Sequence, residues 1–397
     1  MIVDGPAPLH LTYCTNIHPG ETWDEVFANV STHVLAVKAQ VAPDRPFGLG
    51  LRLSAAAARG LAQPEALEAF RGFLGAHGLY VFTINGFPYG AFHGTAVKEN
   101  VYRPDWLEDE RVAYSDQLAG LLADLVPEGL EGTVSTVPGC FVERAGGDAG
   151  ERMAANLRRH AQSLWRLRER TGRTIGLALE PEPHCVLETS ADAVAFFERH
   201  IFSRPSIATF AKDCGLDPGP AEEVLRRHLG VCLDACHAAV EFEEPAQALR
   251  QLEGAGLRVL KVQVSAGLVV RPDLDGLVAL ARFAEGVYLH QVVVRSGNSL
   301  HRHVDLPLAL AQARPGQLGD EWRVHFHVPL FLERLGPFHN TQPFLKALLP
   351  QLARTGVTSH LEVETYTWDV LPEEHRRDPV DEAIARELRW TLEHLKS

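Results

Sequence analysis

The order of strand-like and helix-like segments constrains the fold of this 397-residue chain more than any other feature of its sequence. A short apolar run typical of a buried strand is followed by a loop and an amphipathic stretch typical of a helix, and this order repeats. Such an alternation implies βαβ units, a parallel sheet and right-handed crossovers, and eight units would close into a barrel. About ten runs have the character of strands, namely residues 9–14, 47–53, 80–85, 132–137, 175–180, 230–234, 259–264, 288–294, 324–328 and 360–365.

Two of these runs are surplus to a barrel of eight strands. They are residues 288–294 and 324–328, and we expect both to lie within an insertion that spans about 269–341. The stretch between them, 295–320, is rich in Gly, Pro and His, which is typical of a loop excursion.

We therefore predict an α/β fold, a single (β/α)8 TIM barrel over residues 1–397, with the insertion after its seventh strand. A C-terminal helix over about 379–395 closes the chain within a predicted cap, 366–397. Two Rossmann-type domains are the alternative, and they would be expected to carry a GxGxxG motif after a first strand. Gly48 and Gly50 lie inside a strand-like run with no third glycine in place, which disfavours that alternative.

The charge balance and the apolar runs limit the partners. The 38 Lys and Arg against 51 Asp and Glu give a formal charge of −13, which would repel nucleic-acid phosphates, so we expect no nucleic-acid partner. No apolar stretch approaches the ~20 residues of a membrane span, so we expect no membrane insertion. The first residues lack the basic and apolar regions of a signal peptide, and the six cysteines form no CxxC pair. A cytoplasmic protein with reduced thiols is therefore the default expectation.

Carboxylates end three of the apolar runs: Glu180 on the fifth barrel strand, Asp234 on the sixth and Glu364 on the last. In a barrel these ends meet at one mouth, where active sites lie. A carboxylate in a dry mouth needs a cation, a donor or a proton, and three of them repel one another. A divalent metal is the simplest neutraliser. Oxygen-rich ligands with one Gln or His favour Mn²⁺ or Mg²⁺, with Zn²⁺ as the alternative.

Some of these positions have second interpretations. Glu182 and Glu362 each lie two residues from a favoured carboxylate, so strand geometry puts them on the same side of the barrel and either could replace its neighbour. Asp234 could equally be the N-cap of a helix, although His237 three residues later favours a site.

Nineteen histidines make the positions of this residue type informative, because imidazole is both a metal ligand and a proton carrier near pH 7. His325 and His327 alternate along a predicted strand, so both could face one side of it. Apolar walls are expected from Phe87, Tyr89, Tyr366 and Trp368. The residues that we expect to contact a substrate are His18, Asn85, Tyr89, His93, Glu182, His237 and His325.

Taken together, Glu180, Asp234-x-x-His237, a polar residue before Val-Ser on strand seven and Glu364 resemble the xylose isomerase-like barrel superfamily. Its epimerase members imply one divalent metal held by two Glu, an Asp and a His, with the two Glu acting as an acid/base pair on opposite faces of the substrate. The resemblance thus makes Glu180, Asp234 and Glu364 metal ligands, makes the two Glu catalytic, and makes His237 a substrate contact.

The sequence departs from this superfamily at strand seven. Gln263, in Lys-Val-Gln-Val-Ser, stands where the superfamily has a His. Its side-chain carbonyl can bind a metal more weakly than imidazole does, and His327 is the alternative source of a ligand nitrogen.

Longer motifs across nearly the whole chain are similar to those of the metabolite traffic protein EboE family. This xylose isomerase-like family occurs in a bacterial gene cluster linked to moving or modifying a metabolite precursor. The motifs are HLTYCTNIHPGETW at 10–23, INGFPYGAFH at 84–93, LEPEP at 179–183, VHFHVP at 324–329 and LEVETYTW at 361–368.

These observations predict a divalent-metal-dependent isomerase or epimerase that acts on a small hydroxylated or carbonyl metabolite, with proton transfer by Glu180 and Glu364. A metabolite-binding or carrier barrel of the EboE type without turnover is the second hypothesis, which the missing strand-seven His favours mildly. A metal-dependent hydrolase, as in the endonuclease branch of the superfamily, is the third, and the acidic charge disfavours it.

Overall fold

The barrel predicted from the sequence is confirmed. The computed structural model describes residues 1–3, 5, 8–93, 97–376 and 378–396. From β2 to β7 each strand pairs in parallel with the next, and β8 lies between β7 and β1. The strand ends agree with the predicted ones to within two residues. The barrel strands are β1 (Leu9–Tyr13), β2 (Phe47–Arg52), β3 (Leu79–Asn85), β4 (Gly132–Thr136), β5 (Ile175–Leu179), β6 (Leu229–Asp234), β7 (Val259–Val264) and β8 (His360–Val363).

The ring is completed between β1 and β2 by few contacts. Cys14 and Gly50 form an isolated parallel bridge. The Thr12 hydroxyl donates to the carbonyl of Gly48 at 2.7 Å. β1 also pairs antiparallel with a two-residue strand, Ile2–Val3, at the start of the chain.

Gly48 and Gly50 make room for side chains inside the barrel. A Cβ on Gly48 would lie 2.5 Å from the ring of Phe82, and one on Gly50 would lie 1.8 Å from Oε1 of Glu362. These glycines are therefore packing positions within β2, and the two-domain Rossmann alternative is wrong.

The insertion after β7 forms a second, antiparallel sheet, in which the two surplus runs pair with each other. The second run is predicted at 324–328, but its strand is Glu321–Val324. Residues 325–328 lie beyond this strand, and the Val328 amide donates to the carbonyl of Ala266 at 2.8 Å. This course of the chain brings His325 and His327 to the barrel mouth. In spatial order the strands are Ser299–His303, Val292–Ser296, Glu321–Val324, Leu268–Val270 and His339–Asn340.

Helices follow the barrel strands, as the alternation in the sequence predicts. Two of them continue into π-helical turns, Val30–Val34 and Phe197–Ile201. The α-helices of the described residues are Trp23–Asn29, Leu35–Val41, Ala55–Leu61, Pro64–His77, Asp109–Leu125, Ala149–Thr171, Ser190–Phe196, Arg204–Cys214, Pro218–His228, Ala235–Val240, Pro245–Gly254, Leu274–Leu280, Leu306–Gln312, Gln342–Thr355 and Val380–Leu395.

One hydrophobic core includes residues of the barrel, the insertion and the C-terminal helix. Glu387 of that helix accepts hydrogen bonds from the Thr365 hydroxyl at 2.8 Å and from the Leu330 amide at 3.0 Å. The helix is thus tied to the end of β8 and to the insertion. Within the described residues, no helix combines the length and apolar character needed to cross a membrane.

Candidate active site

Three buried carboxylates meet at the mouth of the barrel. Glu180 follows β5, Asp234 ends β6 and Glu364 follows β8, and each is at most 5% exposed. We call these residues the carboxylate triad. One oxygen from each lies within 4.8 Å of the others. Oε2 of Glu180 and Oδ2 of Asp234 have no hydrogen-bond partner, so both oxygens are free to bind a cation.

Asp234 is both a helix cap and a member of the triad. Its Oδ1 accepts from the backbone amide of His237 at 2.9 Å and from the Ser265 hydroxyl at 2.7 Å. The two interpretations of this residue are therefore compatible, because capping uses one oxygen and leaves the other free.

Glu364 is oriented by two amides. Its Oε1 accepts from the side chains of Asn16 at 2.8 Å and Asn85 at 3.0 Å. The structure thus places Asn85, a predicted substrate contact, against Glu364, where it orients this carboxylate. Asn16 was not singled out in the sequence, although it stands in the polar segment that follows β1.

Burial and mutual repulsion raise the pKa values of the two glutamates in the triad. Burial, followed by the charges of Glu364 and Asp234, raises the pKa of Glu180 well above its usual value. Burial, followed by the charges of Asp234 and Glu362, raises the pKa of Glu364 in the same direction. A dry site cannot hold all of these charges unless a proton or a cation compensates them.

Glu362 has a different partner from Glu364. Its Oε2 lies 2.5 Å from Nζ of Lys261, and both side chains are fully buried. Burial lowers the pKa of Lys261, but the combined effect of neighbouring groups, of which Glu362 is the strongest, outweighs burial and raises the pKa above its usual value. The amine is therefore charged, and Glu362 belongs to an ion pair inside the barrel. This geometry favours Glu364 over Glu362 as the metal ligand.

Three histidines at the mouth, His237, His325 and His327, are held in one tautomer, and we call them the histidine group. Nδ1 of His237 lies 2.9 Å from the carbonyl of Pro181, and Nδ1 of His327 lies 2.8 Å from the carbonyl of Glu364. Because a carbonyl can only accept, these partners assign the proton to Nδ1 and leave the Nε2 lone pair free in the neutral ring.

His325 has the same tautomer for a less direct reason. Gln291 donates from Nε2 to the carbonyl of Pro183 at 3.1 Å and to the Tyr102 hydroxyl at 2.8 Å, which turns its Oε1 towards Nδ1 of His325 at 2.8 Å. His325 must then donate from Nδ1. Its Nε2 lies 3.1 Å from Nε2 of His237, so two lone pairs face each other unless a ring is protonated.

Burial keeps part of this group neutral. It lowers the pKa of His327 to about 4, a shift that the nearby Asp234 opposes. Burial and the neighbouring rings of His237 and His327 lower the pKa of His325 well below its usual value. These rings therefore present unprotonated Nε2 atoms at neutral pH.

Glu182 lies in an outer position beside the histidine group. Its Oε1 accepts from the Tyr102 hydroxyl at 2.6 Å and lies 3.6 Å from Nδ1 of His325. This arrangement favours Glu180 over Glu182 as the triad member. Tyr102 and Gln291 were missed in the sequence, since their roles depend on contacts between the loop after β3 and the insertion. The polar pair His290-Gln291 inside an apolar run was the available signal for Gln291.

Two side chains could complete a metal site around the triad. His327 has a buried, unpartnered Nε2 and lies in a group with Asp234 and His237 whose ligand atoms are within 4.8 Å of one another. Gln263 is fully buried with both amide atoms unpartnered, and it is aligned with Asp234 and Glu362 on the neighbouring strands. Oxygen and nitrogen donors without other partners fit a divalent cation.

The structure does not bring His18, Tyr89 and His93 to the triad. His18 stacks on His33 at a ring distance of 4.3 Å and contacts the hydroxyl of Tyr13. The ring of Tyr89 packs edge-on against Tyr114 at 5.0 Å.

His93 packs against Phe92 with a ring distance of 5.0 Å and faces the backbone of Asn16. Of the expected apolar walls, Phe87 and Tyr366 line the cavity over the triad. Trp368 belongs to the main hydrophobic core.

Comparisons with known proteins add little to this geometry. No family model and no curated protein matches the chain, so membership of the EboE family stays a prediction. Among solved structures, the chain is similar to the IOLI protein with a binding zinc atom, at 13% identity over 98% of each chain and a TM-score of 0.48.

Two further solved structures have similar scores. L-ribulose 3-epimerase has 14% identity over 98% of this chain and 95% of its own, with a TM-score of 0.49. A xylose isomerase-like TIM barrel protein from Mycobacterium smegmatis in complex with magnesium has 13% identity over 98% and 96%, with a TM-score of 0.49. Likenesses at this level do not assign the chain to a family.

Proposed function

We propose that this protein is a divalent-metal-dependent isomerase or epimerase that acts on a small hydroxylated or carbonyl metabolite. The observation that carries the proposal is the carboxylate triad, whose oxygens come within 4.8 Å of one another from three separate strands, with two of them unpartnered. Such a cluster of carboxylates lowers the stability of the fold when no cation is bound. An unfavourable cluster of this kind at the mouth of a barrel is typical of a functional site.

The metal would be held by Glu180, Asp234 and Glu364, with a fourth ligand from His327 or Gln263. Three carboxylates favour Mn²⁺ or Mg²⁺, and an imidazole ligand makes Zn²⁺ the alternative. A bound divalent ion supplies Lewis-acid polarisation of a carbonyl and its neighbouring hydroxyl.

Proton transfer would be the work of two glutamates. Glu180, through the oxygen that a metal would leave free, is suited to remove the proton from the hydroxyl-bearing carbon next to the carbonyl. Glu364, oriented by Asn16 and Asn85, would return a proton on the opposite face, and the reverse direction exchanges the two roles. His237 would contact a substrate oxygen through its ring.

A metabolite carrier without turnover, of the kind that the EboE resemblance implies, is the second candidate. The observation in its favour is Gln263, a weak ligand in the position where the superfamily has an imidazole, with an amide that has no partner within the described residues. Binding without proton transfer would need the cavity but no acid/base pair.

Metal loading of the purified protein tests the first half of the proposal. We expect about one equivalent of Mn²⁺ after dialysis, a rise in melting temperature, and loss of both in Glu180→Gln. Glu393→Gln, which changes an exposed carboxylate on the C-terminal helix, is the matched control. Less than a few hundredths of an equivalent in the wild type, without a thermal shift, would refute a metalloenzyme.

Solvent deuterium exchange tests the second half. The metal-loaded protein should incorporate deuterium from D₂O into a member of a panel of sugars and keto compounds, and Glu180→Gln should not. Metal binding without exchange across a broad panel would favour the carrier.

A further inference from the structure

The cavity over the carboxylate triad has two chemically different ends. Its floor is formed by Glu180, Glu364 and His237, and its walls and roof include Phe87, Val101 and Leu289. Its enclosed volume is about 40 Å³, and about 490 Å³ when the open mouth is included, so a bound metabolite must extend from the floor into the mouth. The chemistry of each end restricts what can bind.

The floor is rich in hydrogen-bond acceptors. Oε2 of Glu180 and Oε2 of Glu182, both from lining residues, are buried without a partner. Among the nearby amides, those of Asn16 and Asn85 already donate to Glu364, whereas Gln263 keeps a free donor. A ligand at this end is therefore favoured when it supplies donors, such as hydroxyl groups, to the oxygens that the metal leaves free. Because the carboxylates outnumber the charges of one divalent ion, an anionic group would be repelled.

The cavity also lacks a cation that could bind an anion, since none of its described lining residues is Lys or Arg. Three cations of the surrounding fold, including Arg52, which lies 5.9 Å from the ring of Phe92, have carboxylate partners. Lys261 pairs with Glu362, Lys98 pairs with Asp305 at 2.8 Å, and Arg52 pairs with Glu21 at 2.9 Å. Phosphate and carboxylate groups would therefore find no counter-charge from the protein here.

The roof is apolar and aromatic. Phe92, Val97 and Tyr288 form a small hydrophobic cluster apart from the main core, and Tyr366 and Val101 pack against it. The rings of Phe92, Tyr288 and Tyr366 lie 4.9–5.3 Å from one another. We call these three rings the aromatic roof. Such a surface stabilises an apolar or planar group and offers little to a bare polyol.

We propose that the site binds an uncharged compound in which a hydroxylated end is joined to a hydrophobic ring. The hydroxyls would lie on the acceptor-rich floor and the ring under the aromatic roof. This inference rests on the proposed function for the floor and goes beyond it in substrate class. It disfavours sugar phosphates and free sugars as the true substrates.

Matched ligands test the proposal on the metal-loaded full-length protein. The probes are phenyl β-D-glucopyranoside and phenyl β-D-galactopyranoside, the parent sugars and their 6-phosphates, titrated by calorimetry. We expect at least one phenyl glycoside to bind at least about tenfold more tightly than its parent sugar, and no phosphate to bind more tightly than its parent. In Phe92→Ala the advantage of the phenyl group should be lost, with metal content unchanged.

Phe73→Ala is the control, because Phe73 is a partly buried ring on an outer helix, where it contacts Phe27 and His77. It should keep the preference for phenyl glycosides. Tighter binding of a phosphate, equal affinity of phenyl glycoside and parent, or no binding of either phenyl glycoside by the folded protein would overturn the proposal. Metal stoichiometry separates the two claims: protein without metal refutes the proposed function, whereas metal-loaded protein without phenyl preference refutes only this inference.

Discussion

Glu362 and Glu364 show what decides the role of a single residue in this protein. They lie two residues apart on the same side of β8, and strand periodicity treats them alike. Their partners differ, because Glu362 contacts Lys261 and Glu364 faces Glu180 and Asp234. Sequence could place both inside the barrel, but which one has a cation beside it depends on a neighbouring strand.

Removal of only one partner of the buried ion pair between Lys261 and Glu362 should destabilise the protein. Lys261→Met leaves Glu362 charged and unpaired in the barrel, and we expect it to lower the free energy of unfolding by about 3–5 kcal/mol. Lys261→Met combined with Glu362→Leu should recover most of this loss, because neither charge remains. Urea unfolding of the three proteins measures both effects, and a loss below about 1 kcal/mol in the single variant would contradict the pairing.

Metal affinity should separate the two glutamates. Glu364→Gln removes a charged oxygen from the carboxylate triad and should weaken Mn²⁺ binding by about 100-fold or more. Glu362→Gln changes only the ion pair beneath and should weaken it less than about tenfold. Competition titration with a metal-sensitive dye gives both constants, and the reverse order would make Glu362 the ligand.

At the scale of elements, the hydrophobic alternation was sufficient for the eight barrel strands, since each is a local apolar run and, except at β7, where the insertion comes first, helical segments lead to the next barrel strand. It was insufficient for the segment that carries His325 and His327. That segment leaves its sheet because of the long-range bond from Val328 to Ala266, which no local pattern encodes. The partners of the histidine group were unpredictable for the same reason.

The closure of the barrel depends on a glycine in β2. In Gly50→Ala the new Cβ would lie 1.8 Å from Glu362 and 2.9 Å from the carbonyl of Tyr13, so we expect a loss of at least about 2 kcal/mol in stability. Gly72→Ala, in the helix Pro64–His77 with open space around it, should stabilise by about 0.5–1 kcal/mol. Thermal and urea unfolding would show this, and similar effects from the two changes would contradict the packing role.

The C-terminal helix contains a pH-dependent contact. Burial raises the pKa of Glu387 to about 7, and its hydrogen bonds from Thr365 and Leu330 oppose this only partly. A raised pKa in the folded state means that the stability from this group is fully present below the unfolded value near 4.5 and is lost as pH rises through about 7.

Glu387→Gln should remove this dependence. Between pH 5 and pH 8.5 the variant should gain on the order of 3 kcal/mol relative to the wild type. Unfolding in urea at both pH values measures the gain, with the exposed Glu393→Gln as control, for which we expect a constant difference. An equally constant difference for Glu387→Gln would show that Glu387 does not titrate in this range.

For the whole molecule, the formal charge of −13 counts only the residues of the chain and leaves out the divalent cation that we propose to bind at the carboxylate triad. Sequence composition led only to an expectation about partners, whereas the repeated alternation predicted the architecture. Neither composition nor alternation predicted that the cavity has a polar floor and an aromatic roof. The loop after β3, the insertion and the segment after β8 contribute Phe92, Tyr288 and Tyr366, and only the folded chain brings these three rings together.

The single-domain interpretation leads to a test of cooperativity. One hydrophobic core includes Val292 and Trp322 of the insertion's antiparallel sheet, which we call the side sheet, and Leu177 of the barrel. The insertion therefore cannot unfold without exposing apolar surface of the barrel, and we expect one transition. In hydrogen exchange, amides of Val292–Ser296 should be protected to within about 1–2 kcal/mol of those of Ile175–Leu179. Fast exchange confined to the side sheet would instead make the insertion a separate unit, and the sites of His325 and Gln291 would then be assembled by docking.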